Sequence, residues 1–220
     1  MNLRLCLYRL KFMAAVIRKG PRYVYNFIHF RVFYGTKNIF LIKLLHKLNP
    51  YPPYLEIEVT TRCNLKCVIC EHTYWNEENK DMAFDDFKSI LKQFPRLKWI
   101  GLTGIGESFL NKDFMKMLRY VKSRNIFVEL YDTFFFVDEA MSNELIDLGV
   151  DRMLVSLDAA TKKTYELIRV NSDFTRVIAN VKALFKLKKS RHALFPEIAF
   201  HYIINKMNLA EVELYLEFVR

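Results

Sequence analysis

Glycine, proline and cysteine are scarce in this sequence, and each scarcity excludes a class of protein. Six Gly and six Pro among 220 residues exclude a collagen-like repeat and the composition of a disordered chain. Four cysteines are too few for a secreted scaffold held together by disulfides. No run of about 18 uninterrupted apolar residues indicates a membrane-spanning helix, and no signal peptide is recognisable. We therefore expect a globular protein in the cytoplasm.

Acidic residues are absent from the first fifty positions. Residues 1–50 contain ten Lys/Arg and no Asp or Glu, whereas residues 51–220 contain 24 of each sign, so the net charge of +10 lies in the amino-terminal segment. The ten cations are Arg4, Arg9, Lys11, Arg18, Lys19, Arg22, Arg31, Lys37, Lys43 and Lys47. Basic and apolar residues mix here at near-helical spacing. This pattern favours a helical segment packed against the rest of the chain, with peripheral contact to an anionic membrane as the alternative; nucleic-acid binding is not expected.

The prolines of NPYPPY, at 49–54, indicate a domain boundary. Pro50, Pro52 and Pro53 stop a helix and favour extended backbone. The sequence before them is basic and rich in aromatic residues, and the sequence after them is regular. We predict a basic amino-terminal segment at 1–50 and a separate domain at 51–220.

Strand and helix patterns alternate five times after residue 53. Alternating or buried apolar runs predict strands at 54–60, 97–104, 126–131, 150–159 and 196–205. Amphipathic stripes predict helices at 83–94, 113–124, 138–149, 161–170, 173–189 and 208–220. Such alternation indicates βαβ crossovers and a parallel sheet. The pattern alone leaves a barrel and an open sheet as alternatives.

Three of the four cysteines lie within eight residues, directly after the first predicted strand. Cys63, Cys67 and Cys70 follow the spacing C-x3-C-x2-C, on a loop at the strand end where parallel α/β folds bind ligands. Thiolates suit zinc or iron–sulfur centres. An iron–sulfur cubane normally has four Cys ligands, so three would leave one iron open for a ligand. A structural zinc site with His72 as the fourth ligand is the alternative.

The segment CNLKCVIC resembles the signature of the radical S-adenosylmethionine (SAM) enzymes. The resemblance implies that the three thiolates hold a [4Fe–4S] cluster and that its open iron binds the amino and carboxylate groups of SAM. It implies reductive cleavage of SAM to methionine and a 5′-deoxyadenosyl radical, which abstracts hydrogen from a substrate. An electron donor such as a flavodoxin or ferredoxin is implied as a partner.

Two further segments extend this resemblance. In TGIGESFLNKDF, Gly104, Gly106 and Glu107 resemble the family's Gly-Gly-Glu segment, which implies that they hold the methionine end of SAM. In SLDA, Ser156 and Asp158 resemble its Ser-x-Asp segment, which implies contact with the ribose.

Residues that follow these segments supply weaker candidates. Arg169 stands where relatives often place a cation near the SAM carboxylate. His201 and Asn205, on the fifth predicted strand, are candidates to face the same pocket.

The chain departs from the family pattern at the end of the third predicted strand. Relatives commonly have Thr-Asn-Gly there, and this sequence has Asp132, Thr133 and Phe134. A bulky apolar residue in place of a flexible turn is expected to alter this edge of the pocket. Ser108 also replaces a proline that is common after the glutamate.

The family core has six β/α units, and this chain shows the pattern of five. We therefore expect an α/β fold, a partial parallel (β/α) barrel with five of six units, without the SPASM extension that similar relatives often carry. A fragment or a degenerate relative that binds a cluster without catalysis is one alternative function. A zinc-stabilised binding module is another.

Overall fold

Five parallel strands form the central sheet of the protein. The computed structural model describes residues 3–48, 50–76 and 78–220; Asn49, in the predicted boundary, lies outside them. The strands in chain order are β1 (Tyr54–Ile57), β2 (Lys66–Cys67), β3 (Trp99–Leu102), β4 (Phe127–Asp132), β5 (Arg152–Ser156), β6 (Arg169–Val170) and β7 (Glu197–His201). The main sheet has the order β1-β3-β4-β5-β7, and all its pairings are parallel. Its carboxyl-terminal strand ends therefore meet along one edge.

Helices connect the strands of the sheet and also precede it. They are α1 (Leu3–Arg18), α2 (Pro21–Gly35), α3 (Ile39–Leu48), α4 (Phe84–Lys92), α5 (Phe114–Ser123), α6 (Glu139–Leu148), α7 (Lys162–Ile168), α8 (Phe174–Ser190) and α9 (Val212–Phe218). In the part of the chain that the structure describes, no helix has both the length and the apolar character needed to cross a bilayer.

The helix starts follow from side-chain caps where the sequence supplies them. Asp138 accepts a hydrogen bond from the Met141 backbone N–H at 2.9 Å, and Thr161 accepts one from Thr164 at 3.4 Å, as N-cap residues do. Asn208 and Glu211 have the spacing of a capping box, but the Asn208 side chain makes no cap hydrogen bond. The Glu211 carboxylate instead accepts from the Thr161 hydroxyl at 2.7 Å, which ties the last helix to the loop after β5.

The core lies between the sheet and the helices α4–α8. Its fully buried members come from strand positions and from one stripe of each helix, as the amphipathic patterns predict. They include Ile100, Leu102, Val128, Val155, Phe87, Met117, Leu118, Leu145 and Leu184. This packing holds the carboxyl ends of the strands in place.

A second apolar cluster covers the amino-terminal end of the sheet. Val16 of α1 and Tyr23 and Phe27 of α2 are buried there against Trp99 and Phe127 at the starts of β3 and β4. Part of the basic segment is therefore packed against the domain, as the first of its two interpretations expects.

A buried carboxylate anchors this contact. Asp151 is fully buried at the start of β5. It accepts hydrogen bonds from Lys19 Nζ at 2.5 Å, Tyr23 Oη at 2.6 Å and the Val128 backbone N–H at 2.8 Å, and it also pairs with Lys122. Each of its two oxygens thus has two donors.

The helix predicted at 161–170 is two residues too long. The helix α7 ends at Ile168, and Arg169–Val170 form β6, which pairs antiparallel with β2. Arg169 leaves the helix because its backbone pairs with Cys67 and its side chain is held by Asp158. Neither partner is visible in the local helical pattern.

Candidate cofactor-binding site

A cavity of about 470 Å³ opens at the carboxyl-terminal end of the sheet. The loops that follow four of the sheet's strands contribute to it, and it holds all three clustered cysteines. Its lining is Cys63, Leu65, Cys67, Ile69, Cys70, Glu71, Thr103, Gly104, Ile105, Gly106, Glu107, Tyr131, Asp132, Thr133, Ser156, Arg169, His201 and Ile203. The location agrees with the general rule that ligands of parallel α/β proteins bind at this end.

The cysteine loop is fixed by its own backbone bonds and by β6. Cys67 lies on β2 opposite Arg169. The Cys67 carbonyl accepts hydrogen bonds from the Cys70 N–H at 3.1 Å and the Thr73 hydroxyl at 2.7 Å. These bonds hold Cys67 and Cys70 in one tight turn at the cavity wall.

Burial disfavours the thiolate forms of Cys63 and Cys67. Burial raises the pKa of Cys67 to about 11 and also raises the pKa of Cys63. The Arg169 guanidinium acts in the opposite direction, because its positive charge favours the thiolate. Metal binding at such a site displaces the protons.

Arg169 is fixed by a buried ion pair. Its Nε and Nη2 lie 2.7 Å and 2.6 Å from the same Asp158 oxygen, and its Nη1 lies 3.9 Å from Cys67 Sγ. The fully buried Asp158 uses its other oxygen to accept the Ile203 N–H at 2.7 Å. The guanidinium is therefore held beside a predicted cluster ligand and also lines the cavity.

Asp158 does not line the cavity, and this changes its expected role. The strand β5 ends at Ser156, so Asp158 lies beyond it, although the sequence predicts a strand as far as residue 159. Both Asp158 oxygens already have partners. Contact with a ribose would require Asp158 to leave them, whereas Ser156 faces the cavity.

Two glycines let the loop after β3 approach the cysteine loop closely. A Cβ atom at Gly106 would lie 2.1 Å from the Thr60 carbonyl oxygen, and one at Gly104 would lie 2.2 Å from a Glu58 oxygen. The Glu107 N–H donates to the Arg62 carbonyl at 2.7 Å. A side chain at 106 would meet the backbone of Thr60 and Arg62 and separate the two loops, whereas one at 104 would displace the Glu58 side chain.

Glu107 and Asp132 form an acidic pair inside the cavity. Each is 3% exposed, and the Thr133 hydroxyl donates to Glu107 Oε2 at 2.7 Å. Apart from a proton shared between the two carboxyl groups, no donor in the described residues reaches Glu107 Oε1 or Asp132 Oδ2. Burial, and then the neighbouring Glu107, raise the pKa of Asp132 well above its ordinary value. Buried carboxylate oxygens without donors favour a cationic ligand group.

The bulky Phe134 does not enter the cavity. Its side chain is fully buried in the main core, and its backbone has φ +60°, the left-handed region that glycine adopts easily. The Asn180 side chain donates to its carbonyl at 2.8 Å. The expected change at this pocket edge thus comes from Asp132 and Thr133, which line the cavity, and not from the aromatic ring.

The cavity wall formed by the end of β7 contains one of the two weaker candidates that the sequence places on the fifth predicted strand. His201 lines it, with its ring 5.6 Å from the Tyr131 ring in an edge-to-face contact. Asn205 is not in the lining; its side chain bonds the Ile203 carbonyl and the Met207 N–H. Tyr131 was missed, although its position near the end of β4 was the available signal.

The geometry gives no support to a zinc site with His72. His72 lines a separate cavity of about 180 Å³ that contains Cys63 but neither Cys67 nor Cys70. Within 3–48, 50–76 and 78–220, no group of three or more His, Cys, Asp or Glu is placed to hold a single metal ion. Three thiols around one larger cavity fit the size of a cluster better than that of one ion.

The fold and the site define a class of protein. It is a parallel α/β protein with a three-thiol loop after its first strand and a cavity suited to a cluster and a cationic ligand. The family model of the radical SAM superfamily matches residues 57–219, and this chain belongs to that superfamily. The family's cofactors are a [4Fe–4S] cluster and SAM, as the cysteine signature predicted.

Curated relatives match about three quarters of the chain. One is the tungsten-containing aldehyde ferredoxin oxidoreductase cofactor-modifying protein of Pyrococcus furiosus, 33% identical over 163 residues, which are 72% of this chain and 46% of that protein. Another is a probable GTP 3′,8-cyclase of Methanocaldococcus jannaschii, 27% identical over 76% of this chain and 54% of that protein. The chain spans about half the length of these relatives.

Solved structures support the fold assignment. Streptococcus suis SuiB bound to S-adenosylmethionine has a TM-score of 0.64 at 17% identity, over 80% of this chain and 41% of that chain. The enzyme anSMEcpe with bound AdoMet has a TM-score of 0.59 at 20% identity, over 76% and 48%. These similarities show a partial (β/α) barrel, so the predicted fold class is confirmed.

Proposed function

We propose that this chain is a radical SAM enzyme that binds a [4Fe–4S] cluster through Cys63, Cys67 and Cys70. The observation that carries the proposal is that these three cysteines and the buried Glu107 line one cavity at the carboxyl end of the sheet. When bound, the cluster supplies the electron that cleaves SAM, and the resulting 5′-deoxyadenosyl radical abstracts a hydrogen atom from the substrate.

The acidic pair binds the amino group of SAM in this proposal. Glu107 Oε1 and Asp132 Oδ2 are buried acceptors that, apart from a proton shared between the two groups, receive no described donor, and an ammonium group supplies hydrogen bonds to them. Gly104 and Gly106 keep this wall close to the cysteine loop. A bound cation also relieves the repulsion that raises the pKa of Asp132.

Arg169 and Ser156 complete the proposed contacts. Arg169 lies beside Cys67 and lines the cavity, so its remaining donors suit the SAM carboxylate. Asp158 acts as a positioning residue that holds the guanidinium in place. The Ser156 hydroxyl faces the cavity and is proposed to bind the ribose.

The reaction requires a reductant and a reducing compartment. We include in the proposal an electron donor such as a flavodoxin or ferredoxin and a location in the cytoplasm. The three thiols are unpaired in the structure, as cluster ligands must be before iron binds.

Anaerobic reconstitution tests this function. The full chain is loaded with iron and sulfide, reduced with dithionite and mixed with SAM, while 5′-deoxyadenosine and the EPR spectrum are recorded. We expect a reduced-cluster signal that SAM perturbs, together with 5′-deoxyadenosine. A cluster that binds SAM without cleavage would instead identify a non-catalytic relative, and bound zinc without sulfide would identify a zinc module.

Two cysteine variants make the test specific. Cys67→Ala is expected to abolish 5′-deoxyadenosine formation because it removes a proposed cluster ligand. Cys6→Ala is the matched control, since Cys6 lies on α1 outside the cavity lining, and it is expected to keep the wild-type rate. A Cys67→Ala protein with the wild-type rate would refute the assignment.

A further inference from the structure

The helix α1 has apolar residues on two opposite faces, and only one of them is packed. Phe12 and Val16 lie in the cluster at the amino-terminal end of the sheet. On the other side, spaced three or four residues apart, four large side chains are exposed by 41–63%. They are Leu7, Leu10, Met13 and Ile17. Packing on the domain therefore does not explain this second stripe.

The helix α3 carries a similar exposed stripe. Phe40, Leu44 and Leu48 are 77%, 42% and 65% exposed, and their spacing of four residues places them along one side of the helix. Lys43 and Lys47 are exposed beside them. An amphipathic basic helix of this kind is typical of a helix that lies in a membrane interface.

The charge around both stripes is of one sign. Residues 1–50 hold ten cations and no acidic residue. Among the described residues, Lys19 is the one cation of this segment that forms a salt bridge. Lys43 and Lys47, which are exposed on α3, are therefore available to an anionic partner.

Both helices lie at the end of the sheet that is remote from the cavity. The Leu48 carbonyl of α3 accepts a hydrogen bond from Arg96 at 3.1 Å, just before β3 begins, and α1 packs near the starts of β3 and β4. The cofactor cavity opens at the opposite strand ends. A surface bound by α1 and α3 would leave the cavity accessible.

We propose that α1 and α3 bind an anionic lipid surface, so that residues 1–50 act as a peripheral membrane-binding unit of the enzyme. Lipid accommodates separate aliphatic side chains at the acyl boundary while its headgroups pair with Lys and Arg. Nucleic acid would leave the Leu and Ile side chains in water, because its bases stack on aromatic residues. A second copy of the chain would present the same positive charge and be repelled.

Vesicle flotation of the full chain tests the proposal. We expect binding to vesicles of phosphatidylcholine and phosphatidylglycerol in equal parts, weakening as salt is raised, and little binding to phosphatidylcholine alone. Equal binding to both vesicle types, or to neither, would overturn the proposal. Preferential binding of a duplex RNA in competition with the anionic vesicles would also overturn it.

A charge variant with a matched control locates the surface. The double variant Lys43→Gln/Lys47→Gln is expected to lower the partition coefficient about 30-fold, since each basic residue near an anionic surface contributes about 1 kcal/mol. Lys182→Gln/Lys186→Gln removes the same charges at the same spacing from α8, where both lysines are exposed, and is expected to change little. Equal losses of vesicle binding in the two variants would show that binding depends only on the net charge of the chain, which would contradict the proposal.

An apolar variant tests insertion separately. Phe40→Ser/Leu44→Ser is expected to reduce binding to the anionic vesicles at least as strongly as Lys43→Gln/Lys47→Gln does, because it removes the side chains that enter the lipid. Leu214→Ser/Leu216→Ser on α9, where both residues are about half exposed, is the control. All these variants are expected to cleave SAM as the wild type does, so failure of lipid binding and failure of the enzymatic proposal give different results.

Discussion

Buried carboxylates at the two ends of the sheet differ in the hydrogen-bond donors that they receive. At the amino-terminal end, the carboxylate of Asp151 is fully buried and receives four donors. At the carboxyl-terminal end, the buried Glu107 and Asp132 lie against each other, and apart from a proton shared between them each keeps an oxygen that no described donor reaches. Three buried or half-buried thiols lie in the same cavity.

This difference in hydrogen-bond partners suggests different roles for the two ends, stability at the amino-terminal end and ligand binding at the carboxyl-terminal end. A buried charge with a complete set of partners holds elements together, as Asp151 does for α1, α2, α5 and β5. Buried acceptors without donors cost free energy in the ligand-free protein. In the proposed function, the amino group of SAM supplies the missing partner at the carboxyl-terminal end of the sheet.

Removal of Asp151 should produce the largest loss of stability. Asp151→Ala leaves Lys19, Lys122 and the Tyr23 hydroxyl without their buried acceptor, which is expected to cost about 3–5 kcal/mol. Urea denaturation at fixed pH measures the change. Asp147→Ala removes an exposed carboxylate that pairs with Arg191, and the expected cost is at most about 1 kcal/mol. Equal losses for the two variants would contradict the anchoring role.

Replacement of Glu107 should affect ligand binding more than folding. Glu107→Gln keeps the shape but loses the charge, so SAM affinity is expected to fall about 10- to 100-fold, as for a lost hydrogen bond to a charged group. Isothermal titration of SAM into the reconstituted protein measures this change. Glu213→Gln, on an exposed position of α9, is the control. A Glu107→Gln protein with wild-type affinity would remove Glu107 from the site.

Replacement of Asp132 should produce the smallest effect, a gain in stability that depends on pH. Because the folded-state pKa of Asp132 is raised, the unfolded chain releases this proton first as the pH rises. The wild type therefore loses stability above the ordinary Asp pKa of about 3.9. Asp132→Asn lacks this loss and should be more stable than the wild type by about 1 kcal/mol at neutral pH without SAM, with little difference near pH 4.

Denaturation curves across this pH range test the prediction. Asp86→Asn replaces an exposed carboxylate on α4 and should show no comparable gain. A stability difference for Asp132→Asn that is constant with pH would show that the effect is not caused by the buried charge.

Local patterns of sequence determined the class of fold and the ligand loop. The alternation of apolar runs located all five strands of the sheet, because burial of one face imposes a period of about two or 3.6 residues. The spacing of Cys63, Cys67 and Cys70 identified the family without any knowledge of contacts.

Only the tertiary structure decided which distant side chains meet. Asp158 holds Arg169 beside Cys67, Asp132 lies against Glu107, and Lys19 reaches Asp151. The last of these pairs joins residues 132 positions apart. Periodicity reports which face of an element is buried, but it carries no information on which residue of another element packs against it. Strand register and loop packing set those distances. They bring candidate residues that are far apart in the sequence to the same cavity.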